Sequence, residues 1–261
     1  MVKFILSYTS IILLSLSIFS QEQKTLTVFA GIEGVKEAPF SVWKIGDKEP
    51  TGLDPDVLRL IAKELNVKLS FFKVDLSKGW VDLRRELLEA KLVDMLAYAY
   101  TVTEDRKKFI SFSSPYLVST MNALILRDSK IKSKKDLEEK NVLVFGHTTA
   151  YKWALKNVKG KIYKSYPENN NFSIYKLLET NTIDAYLGDY YSLVDMAKVS
   201  GKFVVLKDPL QKEELAIAFP KDKKDLKVKV NNALKKLEKN GSLEKLRKKY
   251  FNPKLSDKGN P

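Results

Sequence analysis

The densest run of polar chemistry in the chain is Tyr98-Ala99-Tyr100-Thr101-Val102-Thr103-Glu104-Asp105-Arg106. The segment before it, Val93 to Ala97, reads as a buried strand, so these residues follow a strand end. A turn there offers free backbone N–H groups, the Thr101 hydroxyl and the Arg106 guanidinium. That set suits a carboxylate, because arginine presents a planar fork of donors and unpaired N–H groups favour an anion. By type and spacing alone, Arg106 is equally readable as an exposed helix arginine. A second cluster, Gly146-His147-Thr148-Thr149-Ala150, lies between a strand pattern and a helix pattern and is another place for an anion. A third segment, Ile183 to Asp189, ends a strand on a carboxylate that can pair with an ammonium group. All three fall at the C-terminal ends of expected strands, where open α/β sheets bind ligands. One site would then hold a carboxylate binder and an ammonium binder.

Catalytic chemistry finds less support. The chain has one histidine, His147, and no cysteine. Disulfides, a thiol nucleophile, a cysteine metal site and a lipoprotein anchor are therefore excluded. Zinc lacks a ligand set, and no nucleophile elbow surrounds any serine. Gly31-Ile32-Glu33-Gly34 lacks the Gly-Lys-Ser/Thr of a phosphate loop. No cofactor is expected. The formal net charge is +14, from 46 Lys and Arg against 32 Asp and Glu. The lysines are spread along the chain, which reads as a solvated surface and not as a nucleic-acid footprint.

The elements that must position these residues alternate between short apolar runs and helical patterns, as in an α/β fold with mainly parallel sheets. Strands are expected at Thr25–Ala30, Val67–Val74, Val93–Ala97, Thr120–Leu126, Val142–Phe145, Lys161–Lys164, Ile183–Leu187 and Leu215–Phe219, with Phe40–Lys44 extended. Asp54 suits an N-cap and Pro55 the first turn of a helix burying Val57, Leu58, Ile61, Ala62 and Leu65. Further helices are expected over Val81–Ala90, Ala150–Lys156, Phe172–Glu179 and Asp225–Tyr250. Asn240-Gly241 breaks the last of these, and Ser242 is placed to cap its second part. Residues 1–20, with Lys3 and then an apolar run to Phe19, read as a secretory signal peptide.

Several segments, in this order and spacing, resemble the extracellular solute-binding proteins of amino-acid ABC transporters, family 3. They are Ala38-Pro39-Phe40-Ser41, Gly52-Leu53-Asp54-Pro55-Asp56, Thr101 through Arg106, Phe112-Ser113-Ser114-Pro115-Tyr116, Thr148-Thr149, Asp184 through Asp189, and Asn240-Gly241-Ser242-Leu243 with Tyr250-Phe251. The resemblance runs from about Leu26 to Phe251. It implies the two-lobed type II periplasmic-binding fold, each lobe a mainly parallel sheet flanked by helices, joined by two crossing strands near Leu117–Met121 and Lys212–Leu215. The implied division is a signal peptide at 1–20, lobe 1 at 21–117 plus 215–254, lobe 2 at 118–214 and a tail at 255–261. Arg106 would clamp a ligand α-carboxylate with Thr101, Thr148 and Thr149, and Asp189 would take the α-ammonium with the Ala99 carbonyl. Trp80, Tyr98 and Tyr100 either wall the pocket or belong to the core, and Phe40 would be a further ligand-binding residue. Glu37 stands where many relatives carry a stacking aromatic residue; it reads either a cationic ligand tail or is a solvated loop acid. His147 either lines the mouth or sits on a surface loop.

The implied function is an exported, periplasmic or otherwise extracytoplasmic monomer. It would close over a small amino-acid-like ligand and serve the membrane permease of an ABC transporter, without catalysis. Two alternatives share the fold. One is a cyclohexadienyl dehydratase, whose general acid follows the threonine loop where this chain has Ala150-Tyr151. The other is a ligand-sensing module.

Overall fold

A curled sheet with helices on its faces forms the computed structural model, which describes residues 23–75, 82–165 and 173–251. The signal-peptide reading of residues 1–20 and the candidate Trp80 lie outside these residues. In chain order the elements are β1 (Thr25–Phe29), β2 (Lys36–Glu37), β3 (Ser41–Val42), α1 (Leu53–Leu65), β4 (Lys68–Phe71), α2 (Leu83–Glu89), β5 (Met95–Leu96), α3 (Glu104–Lys107) and β6 (Ser111–Leu126). After a 3-10 turn come β7 (Val142–Phe145), α4 (Thr149–Asn157), β8 (Ile162–Ser165), α5 (Ile174–Glu179), β9 (Ala185–Asp189), α6 (Tyr190–Ala197), β10 (Phe203–Val205), β11 (Gln211–Phe219), α7 (Lys224–Lys239) and α8 (Ser242–Phe251).

Among the described residues the sheet order is β4-β1-β5-β11-β6-β9-β7-β8, with β10 also on β6. Pairing is parallel at both ends, β1 with β4 and β5, and β7 with β8 and β9. The middle is antiparallel, where β11 and β6 run side by side from Gln211↔Met121 through Leu215↔Leu117 to Phe219↔Ser111. These two strands join two cores. On one side, β1, α1, α7 and α8 bury Leu26, Val57, Leu58, Ile61, Leu234 and Leu243, and Phe29, Leu87 and Phe112 pack a second cluster on the sheet's other face. On the other side, Val142, Val144, Ala154 and Leu187 form one cluster and Leu143, Leu178, Tyr186 and Leu193 another. The sides are called lobe 1 and lobe 2.

Several local expectations are corrected. The N-cap of α1 is Gly52 and not Asp54. Gly52 has φ +125, and a Cβ there would lie 2.3 Å from the Phe40 carbonyl oxygen, so only glycine fits. Asp54 instead turns inward, fully buried. It accepts hydrogen bonds from Ala99 N at 2.7 Å and from the Tyr116 hydroxyl at 2.6 Å. Ser242 lies within α8 and does not cap it; its N–H donates to Asn240 Oδ1. The strand expected from Thr120 begins at Ser111, because the ladder to β11 extends it. The helix α6 and the strand β10 were not foreseen.

Candidate functional site

A cavity of about 340 Å³ lies between the lobes. Seven of the residues singled out by the sequence line it: Glu37, Ala99, Thr101 and Arg106 from lobe 1, and Thr148, Thr149 and Asp189 from lobe 2. Each is held by a local device. Ala99 adopts φ +42, and its N–H is pinned by the buried Asp54. Thr148 caps α4, accepting from Tyr151 N while its hydroxyl donates to the Phe145 carbonyl at 2.6 Å. Thr149 and Ala150, the first residues of α4, line the cavity, at the end of a helix whose first N–H groups have no partner within the helix. Asp189 caps α6 by accepting from Tyr191 N at 2.8 Å, and it takes the Ser119 hydroxyl at 2.7 Å.

Arg106 reaches the cavity from α3. Its Nη1 donates to the Thr101 carbonyl at 2.7 Å and Nη2 reaches the His147 carbonyl in lobe 2 at 3.5 Å. The guanidinium lies 4.2 Å from the Tyr100 ring centroid. Burial, with Arg84 nearby, brings it down to about 10, so it remains charged at neutral pH. Burial pushes the Asp189 carboxyl up to about 7, against the pull of Ser119 and of the Tyr191 and Ser192 N–H groups, and the Glu213 charge adds to the rise. Asp54 is raised to about 7 for the same first reason. Opposite charges therefore wait on opposite walls, each buried at a cost that a ligand carrying the complementary charge would relieve.

Three further residues belong to the cavity. Glu213 of β11 is buried, accepts the Thr149 hydroxyl, and lies close to Thr101 and Arg106. Burial raises its carboxyl above the usual range. The signal for it was present: Glu213 and Leu215 share one face of a strand, and an acid at an inward position is rarely idle. Arg84, from the start of α2, lies 4.8 Å from the Tyr100 ring centroid. Ser192 Oγ is buried and, among the described residues, has no hydrogen-bond partner.

Two candidate ligand-binding residues are corrected. Phe40 does not line the cavity; it is fully buried and meets Phe251 of α8 edge-on at 6.2 Å. Tyr98 also stands behind the wall, packed edge-on against Phe29 at 5.4 Å, with its hydroxyl beside Glu37. His147 lies in a smaller cavity of about 230 Å³ at the edge, with Asp82, Arg85 and Lys152. Two exposed ion pairs join the lobes at the rim, Lys36 to Asp195 at 3.5 Å and Lys152 to Asp105 at 2.7 Å. Among the described residues no group of three or more His, Asp or Glu side chains is arranged to hold a metal ion.

Comparison with known proteins shows the family and the fold. The model of bacterial extracellular solute-binding proteins, family 3, matches residues 32–253. The L-cystine-binding protein TcyJ of Escherichia coli (strain K12) is 30% identical over 228 residues, covering 86% of this chain and 82% of that protein. A probable amino-acid-binding protein, YxeM of Bacillus subtilis (strain 168), is 32% identical over 211 residues, 79% of this chain and 78% of its own. Among solved structures, an ancestral amino acid-binding protein described as a precursor of cyclohexadienyl dehydratase is 30% identical. It superposes with a TM-score of 0.73 over 87% of this chain and 95% of that one.

Proposed function

The chain belongs to the bacterial extracellular solute-binding proteins, family 3, and from that premise we propose that it captures an amino acid between its lobes for the permease of an ABC transporter. The observation that carries this reading is the placement of Arg106 and Asp189 on opposite walls of one cavity. An α-amino acid brings a carboxylate and an ammonium on adjacent atoms, so it answers both walls at once. Arg106 and the first N–H groups of α4 take the carboxylate, with Thr149 beside them. Asp189 and the Ala99 carbonyl take the ammonium. These contacts are complete only when the lobes are together, so the ligand favours the closed form by its differential contacts. The names of the relatives, cystine-binding and amino-acid-binding, support the ligand class.

The same reading makes the protein an exported monomer with residues 1–20 as its leader. Its lobes divide at 21–117 plus 215–254 and at 118–214. No helix among the described residues is long and apolar enough to cross a membrane. A binder and not an enzyme is favoured because Ala150 and Tyr151 supply no acid after the threonine loop.

A thermal-shift screen against the common amino acids, with prephenate and dicarboxylates added, tests the class. Ligand at a hundred times its Kd stabilises by about 2.7 kcal/mol. Arg106→Ala should then cost about 3 kcal/mol or more, over a hundredfold in Kd. A response to prephenate alone would overturn the binding reading and direct attention to Glu213 as an acid.

A further inference from the structure

Arg84 and Glu37 are unexplained by a ligand with one amino-acid head. Both line the cavity that holds Arg106 and Asp189. Among the described residues the only hydrogen bond of the Arg84 guanidinium is a 3.5 Å one to the Tyr98 carbonyl, and no carboxylate lies within ion-pair distance. A guanidinium carries five donors, so most of its capacity is unspent. Glu37 likewise has no ion-pair partner among the described residues; the Tyr98 hydroxyl is its neighbour, and Arg84 is the cation that acts on it.

We propose that Arg84 and Glu37 form a second head-reading pair, and that the ligand is a double-headed amino acid: two α-amino-acid groups joined by a short linker. This rests on the reading of Arg106 and Asp189 as the first pair. Charge decides between ligand tails. A cationic tail that satisfies Glu37 meets Arg84, and an anionic tail that satisfies Arg84 meets Glu37. An apolar tail desolvates both and pairs neither, which is costly for buried charges. A carboxamide supplies an acceptor and a donor, but only as neutral partners. A second zwitterion gives each group an opposite charge, and charge-assisted bonds are about twice as strong as neutral ones. Space permits it, since 340 Å³ has room for roughly eleven waters at about 30 Å³ each.

The probes are L-cystine and meso-2,6-diaminopimelate as double-headed ligands, against L-glutamine, L-arginine and L-glutamate. The absence of cysteine from the chain means that cystine cannot register through disulfide exchange with the protein. Titration calorimetry at pH 8 on the exported protein should find one double-headed ligand bound about tenfold or more tightly than every single-headed one. Arg84→Met should collapse that ratio to within about threefold, and Glu37→Gln should reduce it in the same direction. Ligand-free melting temperatures establish that both variants fold, and Glu37→Gln serves if Arg84→Met does not. Tightest binding of glutamine, arginine or glutamate overturns the second pair and leaves the first standing. A ratio untouched by either folded variant overturns it too. No binding of any amino acid removes the first pair as well.

Discussion

Ligand affinity should fall with acidity because the Asp189 carboxyl titrates near neutrality before the ligand arrives. An ammonium group needs the ionised form, and burial places that ionisation at about 7 in the ligand-free protein. Binding below that pH must first release a proton. The apparent Kd then rises by one plus ten to the power of the pKa minus the pH. Between pH 8 and pH 6 this is about tenfold, or about 1.4 kcal/mol, and at pH 5 it approaches a hundredfold. The groups that set the value are Ser119, the Tyr191 and Ser192 N–H groups and the charge of Glu213. Calorimetry in two buffers of different ionisation enthalpy reads the proton directly. At pH 6 about nine-tenths of a proton should leave per ligand bound. Asp189→Asn should bind weakly and flatten the profile. A Kd constant between pH 8 and pH 6 refutes the coupling of binding to a proton on Asp189, and unchanged affinity in Asp189→Asn refutes the ammonium contact; a slope surviving in Asp189→Asn moves the titration to Asp54 or Glu213.

Other consequences are as easily checked. Asp54 and Asp189 both have native values of about 7, far above the ordinary carboxylate range. The folded state therefore binds more protons than the unfolded state between about pH 4 and 7, and stability falls as pH rises through that window. The ligand-free protein should melt higher at pH 5.5 than at pH 8 by scanning calorimetry, and the opposite order would contradict the burial of these two groups. Gly52→Ala should cost at least about 2 kcal/mol in urea unfolding, since its Cβ would meet the Phe40 carbonyl at a positive φ. Gly201→Ala, with nothing within 4 Å of its added Cβ, should stay within about 0.5 kcal/mol, and equal midpoints for the two would refute the steric reason. Removing either rim ion pair by Lys36→Ala or Lys152→Ala should weaken ligand binding by about 1 kcal/mol or less, and salt should erase the difference. A loss of more than tenfold would shift the selecting contacts to the rim.

The sequence made Arg106, Thr149 and Asp189 legible because each follows a strand end whose apolar run is plain. It also made the crossing strands legible, since Leu117–Met121 and Lys212–Leu215 carry the right patterns on either side of a second α/β unit. Asp54 was misread because a capping acid and an inward acid look alike until Ala99 and Tyr116, both distant in the chain, are brought beside it. Phe40 was misplaced for a similar reason. Its partner Phe251 is over two hundred residues away, and their contact puts the ring into the core. Arg84 was silent because it stands in no motif, and the only signal for Glu213 was an acid on the same strand face as Leu215. Glu213 matters through its ladder position opposite Ser119, which itself holds Asp189. The helix α6 was hidden behind Asp189, whose role as a strand-end acid obscured that the same carboxylate starts a helix.

The long strand β6 supplies side chains to every core of the molecule. Phe112 enters one cluster of lobe 1 and Tyr116 and Leu117 the other; beyond the crossing, Met121, Ala123 and Ile125 face one cluster of lobe 2 while Leu124 faces its companion. Each cluster nevertheless takes its buried residues from one lobe alone, so the lobes share this strand but not a core. A fragment spanning 118–214 would keep Val118–Met121 paired with Gln211–Glu214, and Met121–Leu126 paired with β9 and β10. One continuous strand thus threads two separately packed bodies, and opening one of them leaves the pairing and the core of the other in place.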